Sequence, residues 1–119
     1  MTISSDRSLQ MEVRRVGSAV VITVHGSASM TDAPRLREEL QRLAERPRTT
    51  IILDLTDLDF IGAEGIDALL FGRERLNVQQ GQIRLVHPND DIRRILDLTR
   101  LSEVFGVFDS LEEALKNVQ

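Results

Sequence analysis

Residues 54–70 read Asp-Leu-Thr-Asp-Leu-Asp-Phe-Ile-Gly-Ala-Glu-Gly-Ile-Asp-Ala-Leu-Leu, and the fold depends on how this stretch divides. An apolar run, 51–55, feeds a short acidic loop that ends in Gly62-Ala63-Glu64-Gly65, and a new apolar periodicity begins at Ile66. The pattern predicts strand, exposed turn, helix. A helix start presents unpaired backbone N–H groups and a partial positive charge. It is therefore a natural receiver of an anion, a phosphate or an acidic partner surface. A working site is expected here.

Outward from this stretch, residues 49–55 are almost continuously apolar, as in a strand covered on both faces of a parallel or mixed sheet. Upstream, Leu9, Met11, Val13 and Val16 alternate loosely, Gly17-Ser18 signals a turn, and a β-branched run over 19–24 ends at His25-Gly26. Two such runs around a short Gly turn predict a hairpin. Residues 27–34 read as a loop that becomes a helix start, with Thr31 or Asp32 as cap and Pro34 in the first turn. Ala33, Leu36, Leu40, Leu43 and Ala44 fall on one helical face, and Pro47 is expected to close the helix.

Downstream, the second helix carries Ile66, Leu69 and Leu70 inward. Residues 82–86 form a strand stopped by His87-Pro88, and 88–99 a helix with Ile92, Ile95 and Leu96 inside. Residues 104–108 give a short strand. Asp109 or Ser110 then caps a last helix bearing Leu111, Ala114, Leu115 and Val118. The order ββαβαβαβα implies crossover connections. The expected fold is α/β, a four- to five-stranded, largely parallel mixed sheet with an N-terminal hairpin and about four helices. Residues 1–119 are expected to be one domain, with a core over about 9–117 and residues 1–8 frayed.

Composition narrows the function. The 119 residues carry a net charge of −4 and no Tyr or Trp, which speaks against nucleic-acid binding by phosphate neutralisation or base stacking. Zero cysteines remove disulfides and thiolate metal sites and suit a cytoplasmic location. No window reaches the ~18 apolar residues of a membrane span, and residues 1–7 lack the apolar core of a signal peptide.

Chemical readings of single residues fail one by one. A calcium loop starting at Asp57 puts Asp59 and Gly62 correctly, but Ile61 and Ala68 fall where oxygen ligands are required. Asp54 as a phosphoacceptor of the response-regulator type lacks an acidic pair after the first strand, and the only lysine, Lys116, lies in the last helix. Asp54 is expected instead to bond backbone amides in the loop it starts. His25 and His87 have no partner at triad or ligand spacing. Phe60, Phe71, Phe105 and Phe108 are assigned to the core. No catalytic residue, metal site or cofactor is expected. Two loops, 26–32 and 59–65, each lead into a helix, which favours an interaction module.

The ordered series Val24-His25-Gly26, then 52–61 reading Ile-Leu-Asp-Leu-Thr-Asp-Leu-Asp-Phe-Ile, then Gly65-Ile66, resembles the STAS domain. So do 81–85, 95–98 and 101–105, and the similarity covers about 9–117. Without membrane segments, the chain resembles an anti-anti-sigma factor. That resemblance implies binding of an anti-sigma factor that is also a serine kinase, through the 26–32 and 59–66 loops and the adjoining second helix. The surface it implies is Ser27, Ser29, Thr31, Asp59, Gly62, Ala63, Glu64, Gly65 and Asp67. The family's usual Asp-Ser-Ser-Gly reads Gly62-Ala63-Glu64-Gly65 here, so the phosphoacceptor position, Ala63, has no hydroxyl. A fixed charge at Glu64 could mimic phosphate weakly, and Ser27, Ser29, Thr31 or Thr56 could substitute as phosphosites. A STAS subunit of a transporter or of a scaffold signalling complex is the alternative. Weak self-association into a dimer is left open.

Overall fold

The computed structural model describes residues 8–118; the expected fraying of residues 1–8 falls, Ser8 apart, outside them. Strands β1 (Gln10–Val16) and β2 (Ala19–Ala28) form the hairpin. Then follow α1 (Ala33–Leu43), β3 (Thr50–Ile61), α2 (Ala63–Val78), β4 (Gln82–Val86), α3 (Asp90–Leu98), α4 (Leu101–Val104), β5 (Gly106–Phe108) and α5 (Leu111–Leu115). The five strands make one mixed sheet in the order β1-β2-β3-β4-β5, antiparallel between β1 and β2 and parallel elsewhere.

Side-chain alternation along β2 and β3 feeds two apolar layers. Val20, Ile22, Val24, Ile51, Leu53 and Leu55 meet the inward faces of α1, α2 and α3, including Leu36, Leu40, Leu69, Leu76, Ile92 and Leu96. On the other face Ala19, Val21, Ile52 and Val86 are covered by Ala114, Leu111 and Leu115 of α5. Burial on both sides is why the 49–55 run has no polar alternation. The Arg84 guanidinium holds α5 in place, donating to the carbonyls of Ala114 (2.6 Å) and Lys116 (2.9 Å).

The strands reach further than the sequence suggests. β2 does not end at His25-Gly26 but runs on to Ala28, and the acidic segment after Leu55 is not a loop but the second half of β3. His25 pairs with Asp57, Gly26 with Leu58, Ser27 with Phe60 and Ala28 with Ile61. The register slips twice, each time with the extra residue in β3. Each bulge resets which face the following side chain takes. Leu55, Leu58 and Ile61 are therefore buried at a spacing of three, and Phe60, expected in the core, is 50% exposed.

Phe105 is buried, whereas Phe71 and Phe108 are half-buried beneath the guanidinium groups of Arg37 and Arg84, at 3.9 and 5.5 Å. Leu70, expected inward, lies at the margin of α2 and is partly exposed. Helix ends also shift. α1 stops at Leu43, ahead of Pro47, and α3 begins at Asp90 rather than at Pro88. Residues 101–104 form α4, an additional short helix, so the last strand starts at Gly106 rather than at Val104. Arg100 in the left-handed region (φ 64°) separates α3 from α4.

Candidate functional site

The extended ends of β2 and β3 set two helix starts side by side. Gly62 N–H donates to the Ala28 carbonyl (3.0 Å), and the Ser29 carbonyl accepts from Asp32 N–H (3.1 Å) and Ala33 N–H (2.8 Å). The chain thus turns into α1 directly beside the entry to α2. Asp32 occupies the N-cap position of α1, yet its carboxylate does not cap the helix. It accepts from Leu9 N–H (3.2 Å) and from the Arg35 guanidinium (3.3 Å), and Arg35 also donates to the Leu9 carbonyl (2.7 Å). Asp32 and Arg35 thereby fasten the chain entering β1 to the first turn of α1.

α2 starts at Ala63 with Gly62 extended as its N-cap. Ala63, Glu64 and Asp67 are exposed, while Gly65 is buried. A Cβ on Gly65 would stand 2.6 Å from Ile61 Cγ1 and 3.0 Å from the Ala28 carbonyl oxygen. Absence of a side chain is what lets α2 begin against the β2–β3 ends. Glu64 places its carboxylate in the first turn, where the helix dipole favours negative charge. Between the first turns of α1 and α2 lies a groove of about 360 Å³, lined by Met30, Pro34, Arg37, Glu64, Asp67 and Ala68 among others.

Two apolar side chains flank this point. Met30 is 69% exposed, and the Phe60 ring lies against Gly62, 3.4 Å from where a Cβ there would be. Neither was singled out from the sequence for this place. A lone methionine in a loop carries no periodic signal, and Phe60 read as core because the bulges are invisible in the pattern.

Asn89 was missed as well. Its Oδ1 accepts from Ile92 N–H (2.8 Å), capping α3, while its Nδ2 donates to the carbonyls of Leu58 (3.1 Å) and Asp59 (3.2 Å). One side chain both starts α3 and pins the tail of β3. Asn followed by Asp90-Asp91-Ile92 is a readable cap signal; its reach back across the fold is not.

The residues expected to form the surface converge at this end of the sheet. Ser27 sits in β2 opposite Phe60 and is half-buried, Ser29 is half-buried in the turn, and Thr31 and Asp59 are exposed. Gly62, Ala63, Glu64, Gly65 and Asp67 belong to the start of α2. Thr56 is engaged elsewhere: its hydroxyl donates to Asp54 Oδ1 (2.6 Å), which also accepts Thr56 N–H (3.1 Å). Asp54 thus bonds one backbone amide, as expected, but within a strand rather than a loop, and it also takes a hydroxyl. His25 Nδ1 lies 3.6 Å from Asp57 Oδ2 and meets that one carboxylate. Among the described residues no group of three or more His, Cys, Asp or Glu could hold a metal ion, and no helix is long and apolar enough to cross a membrane. The arrangement offers apolar side chains beside exposed carboxylates at paired helix starts, which suits recognition of another surface.

Comparison with known proteins agrees with the element order. The STAS domain model matches residues 10–114. The anti-sigma-F factor antagonist RsfB of Mycobacterium tuberculosis is 24% identical over 117 residues, covering 98% of this chain and 95% of the relative. The crystal structure of an anti-sigma factor antagonist from Mycobacterium paratuberculosis superposes with a TM-score of 0.84 at 27% identity, covering 98% of each chain. A sulfate transporter family protein from Wolinella succinogenes shares the fold, with a TM-score of 0.72 at 24% identity and 84% of each chain. With its hairpin, its parallel β2–β5 sheet and a family match spanning nearly every element, the chain belongs to the STAS domain family.

Proposed function

We propose that this chain acts as an anti-sigma factor antagonist, docking an anti-sigma factor of the serine-kinase type through the 26–32 and 59–66 segments and the first turns of α2. The observation that carries the reading is the exposed start of α2, Ala63 and Glu64 with Met30 and Phe60 on either side, at the end of the sheet. Support also comes from relatives of matching length that are anti-sigma factor antagonists. Apolar anchors ringed by polar groups are the usual makeup of an energetically decisive contact.

Ala63 sets how such a contact is regulated. Phosphorylation of a residue here would add about −1.5 to −2 charges to a packed interface. A methyl group accepts no phosphate, so at residue 63 the docking surface stays in its unmodified form. Glu64 contributes one negative charge to the same turn, and comparing partner affinity for Glu64→Gln gives the sign of its effect.

The test is an affinity pull-down from the native cell with wild type and Ala63→Ser in parallel, followed by incubation with ATP. The expected result is that both retain an anti-sigma factor and that only Ala63→Ser takes up phosphate and lets the partner go. Retention of a transporter subunit in place of an anti-sigma factor, or of neither, would overturn the proposal.

A further inference from the structure

The outer edge of β1 supports a second interaction, independent of the docking end. Its seven residues, Gln10–Val16, pair with β2 on one side only, and among the described residues no strand lies against the other side. Such an edge exposes a row of backbone N–H and C=O groups to any extended chain that can match it. Glu12, Val13, Arg14 and Arg15 are exposed, and neither Glu12 nor the two arginines form an ion pair with a described residue. Charges on an edge strand ordinarily deter pairing. Here their order does the opposite for one specific partner, another copy of the same strand.

Directly opposed residues in an antiparallel pair project to the same face. Two-fold registers of β1 on itself therefore differ by steps of two. Centred on Glu12, two carboxylates confront each other; centred on Arg14, two guanidinium groups do. Centred on Val13, every residue of the strand is paired. Glu12 then faces Arg14 of the second copy, and Arg14 faces its Glu12. Val13, 41% exposed in the single chain, meets the second Val13, and Met11 lies opposite the aliphatic stem of Arg15. This register has two opposite-charge pairs and no like-charge pair.

We infer that β1 is a self-association edge, through which a second copy of this chain adds its own β1 antiparallel, centred on Val13, so that one sheet runs through both copies. β1 begins beside the docking end, where Gln10 pairs with His25. The two docking ends therefore point in opposite directions and neither is covered by the pairing.

The test is sedimentation equilibrium of the full chain over a concentration series. Wild type is expected to show a reversible monomer–dimer equilibrium. Glu12→Arg and Arg14→Glu each put like charges opposite one another twice, and each is expected to weaken association by about tenfold or more. The double exchange E12R/R14E reverses both pairs and is expected to restore wild-type association. Mixing E12R with R14E is expected to give a heterodimer from two chains that are monomeric alone. All substitutions are at exposed positions, and circular dichroism confirms that each chain is folded. A wild type that stays monomeric at the highest attainable concentration would overturn the inference. So would single reversals without effect, or a double exchange and a mixture that both stay monomeric.

Discussion

At the scale of single residues, the site depends on what is missing at Gly65 and on what is left outside at Met30 and Phe60. A methyl on Gly65 would collide with Ile61, which can rotate, and with the Ala28 carbonyl, which is backbone and held by Gly62 N–H. Gly65→Ala is therefore expected to cost about 1–3 kcal/mol, as overpacking of a tight contact does, measured as a lower urea midpoint at unchanged slope. Met30→Ala and Phe60→Ala act in the opposite sense. Each removes exposed surface and is expected to shift stability by less than about 1 kcal/mol. Each should weaken the proposed partner complex by about tenfold or more if it is an anchor. Titration calorimetry on folded variants separates the two effects, and unchanged affinity for both would remove them from the interface.

At the scale of elements, the informative one is β3, whose first half was readable and whose second half was not. Ile51, Ile52, Leu53 and Leu55 are buried on both faces and advertise a central strand. Beyond them Thr56-Asp57-Leu58-Asp59 looks like a turn, because Thr and Asp compete for backbone hydrogen bonds locally. Pairing with β2 overrides that preference, and two bulges disguise the remaining periodicity as Leu55, Leu58 and Ile61. The candidate site was legible where local rules act: Gly62-Ala63-Glu64-Gly65 is recognisable as a helix start. It was illegible where contacts are remote, as with Asp32 reaching Leu9 and Asn89 reaching Leu58. α4 is one turn long and leaves no periodic trace.

Asn89 allows a direct check on the β3 tail. Asn89→Ala removes the cap of α3, a loss of about 0.5–2 kcal/mol, and also releases the Leu58 and Asp59 carbonyls. Amide exchange should then quicken at residues 58–61 while Leu53 in the sheet centre keeps its protection. Equal acceleration throughout the sheet would mean that Asn89 acts on global stability alone.

At the scale of the whole molecule, β2, β3 and β4 end, and α1, α2 and α3 begin, at one side. Ligand sites in open α/β sheets gather outside the carboxyl ends of the strands, and the paired helix starts lie there. The opposite sheet face is the lesser core: four buried sheet residues, Ala19, Val21, Ile52 and Val86, under a five-residue helix that contributes Ala114. Two hydrogen bonds from the charged Arg84 fasten that helix at its C-terminal end. Arg84→Ala is expected to cost about 1.5–3 kcal/mol, the range for hydrogen bonds to a charged group. It should raise amide exchange in α5 before α2. The docking end is built on the other layer and should keep its partner affinity; a parallel loss of binding would show that the two layers are coupled. Ala63 finally bears on time. On the proposed reading, with no mark at Ala63 and none at the hydroxyls of Ser27, Ser29 and Thr31, the surface has no memory of earlier signals. Its partner is then freed only by dissociation, so the output follows relative copy number, with a threshold near equal amounts of the two proteins. Control passes to synthesis and proteolysis, and the response is as slow as the turnover of the chain itself.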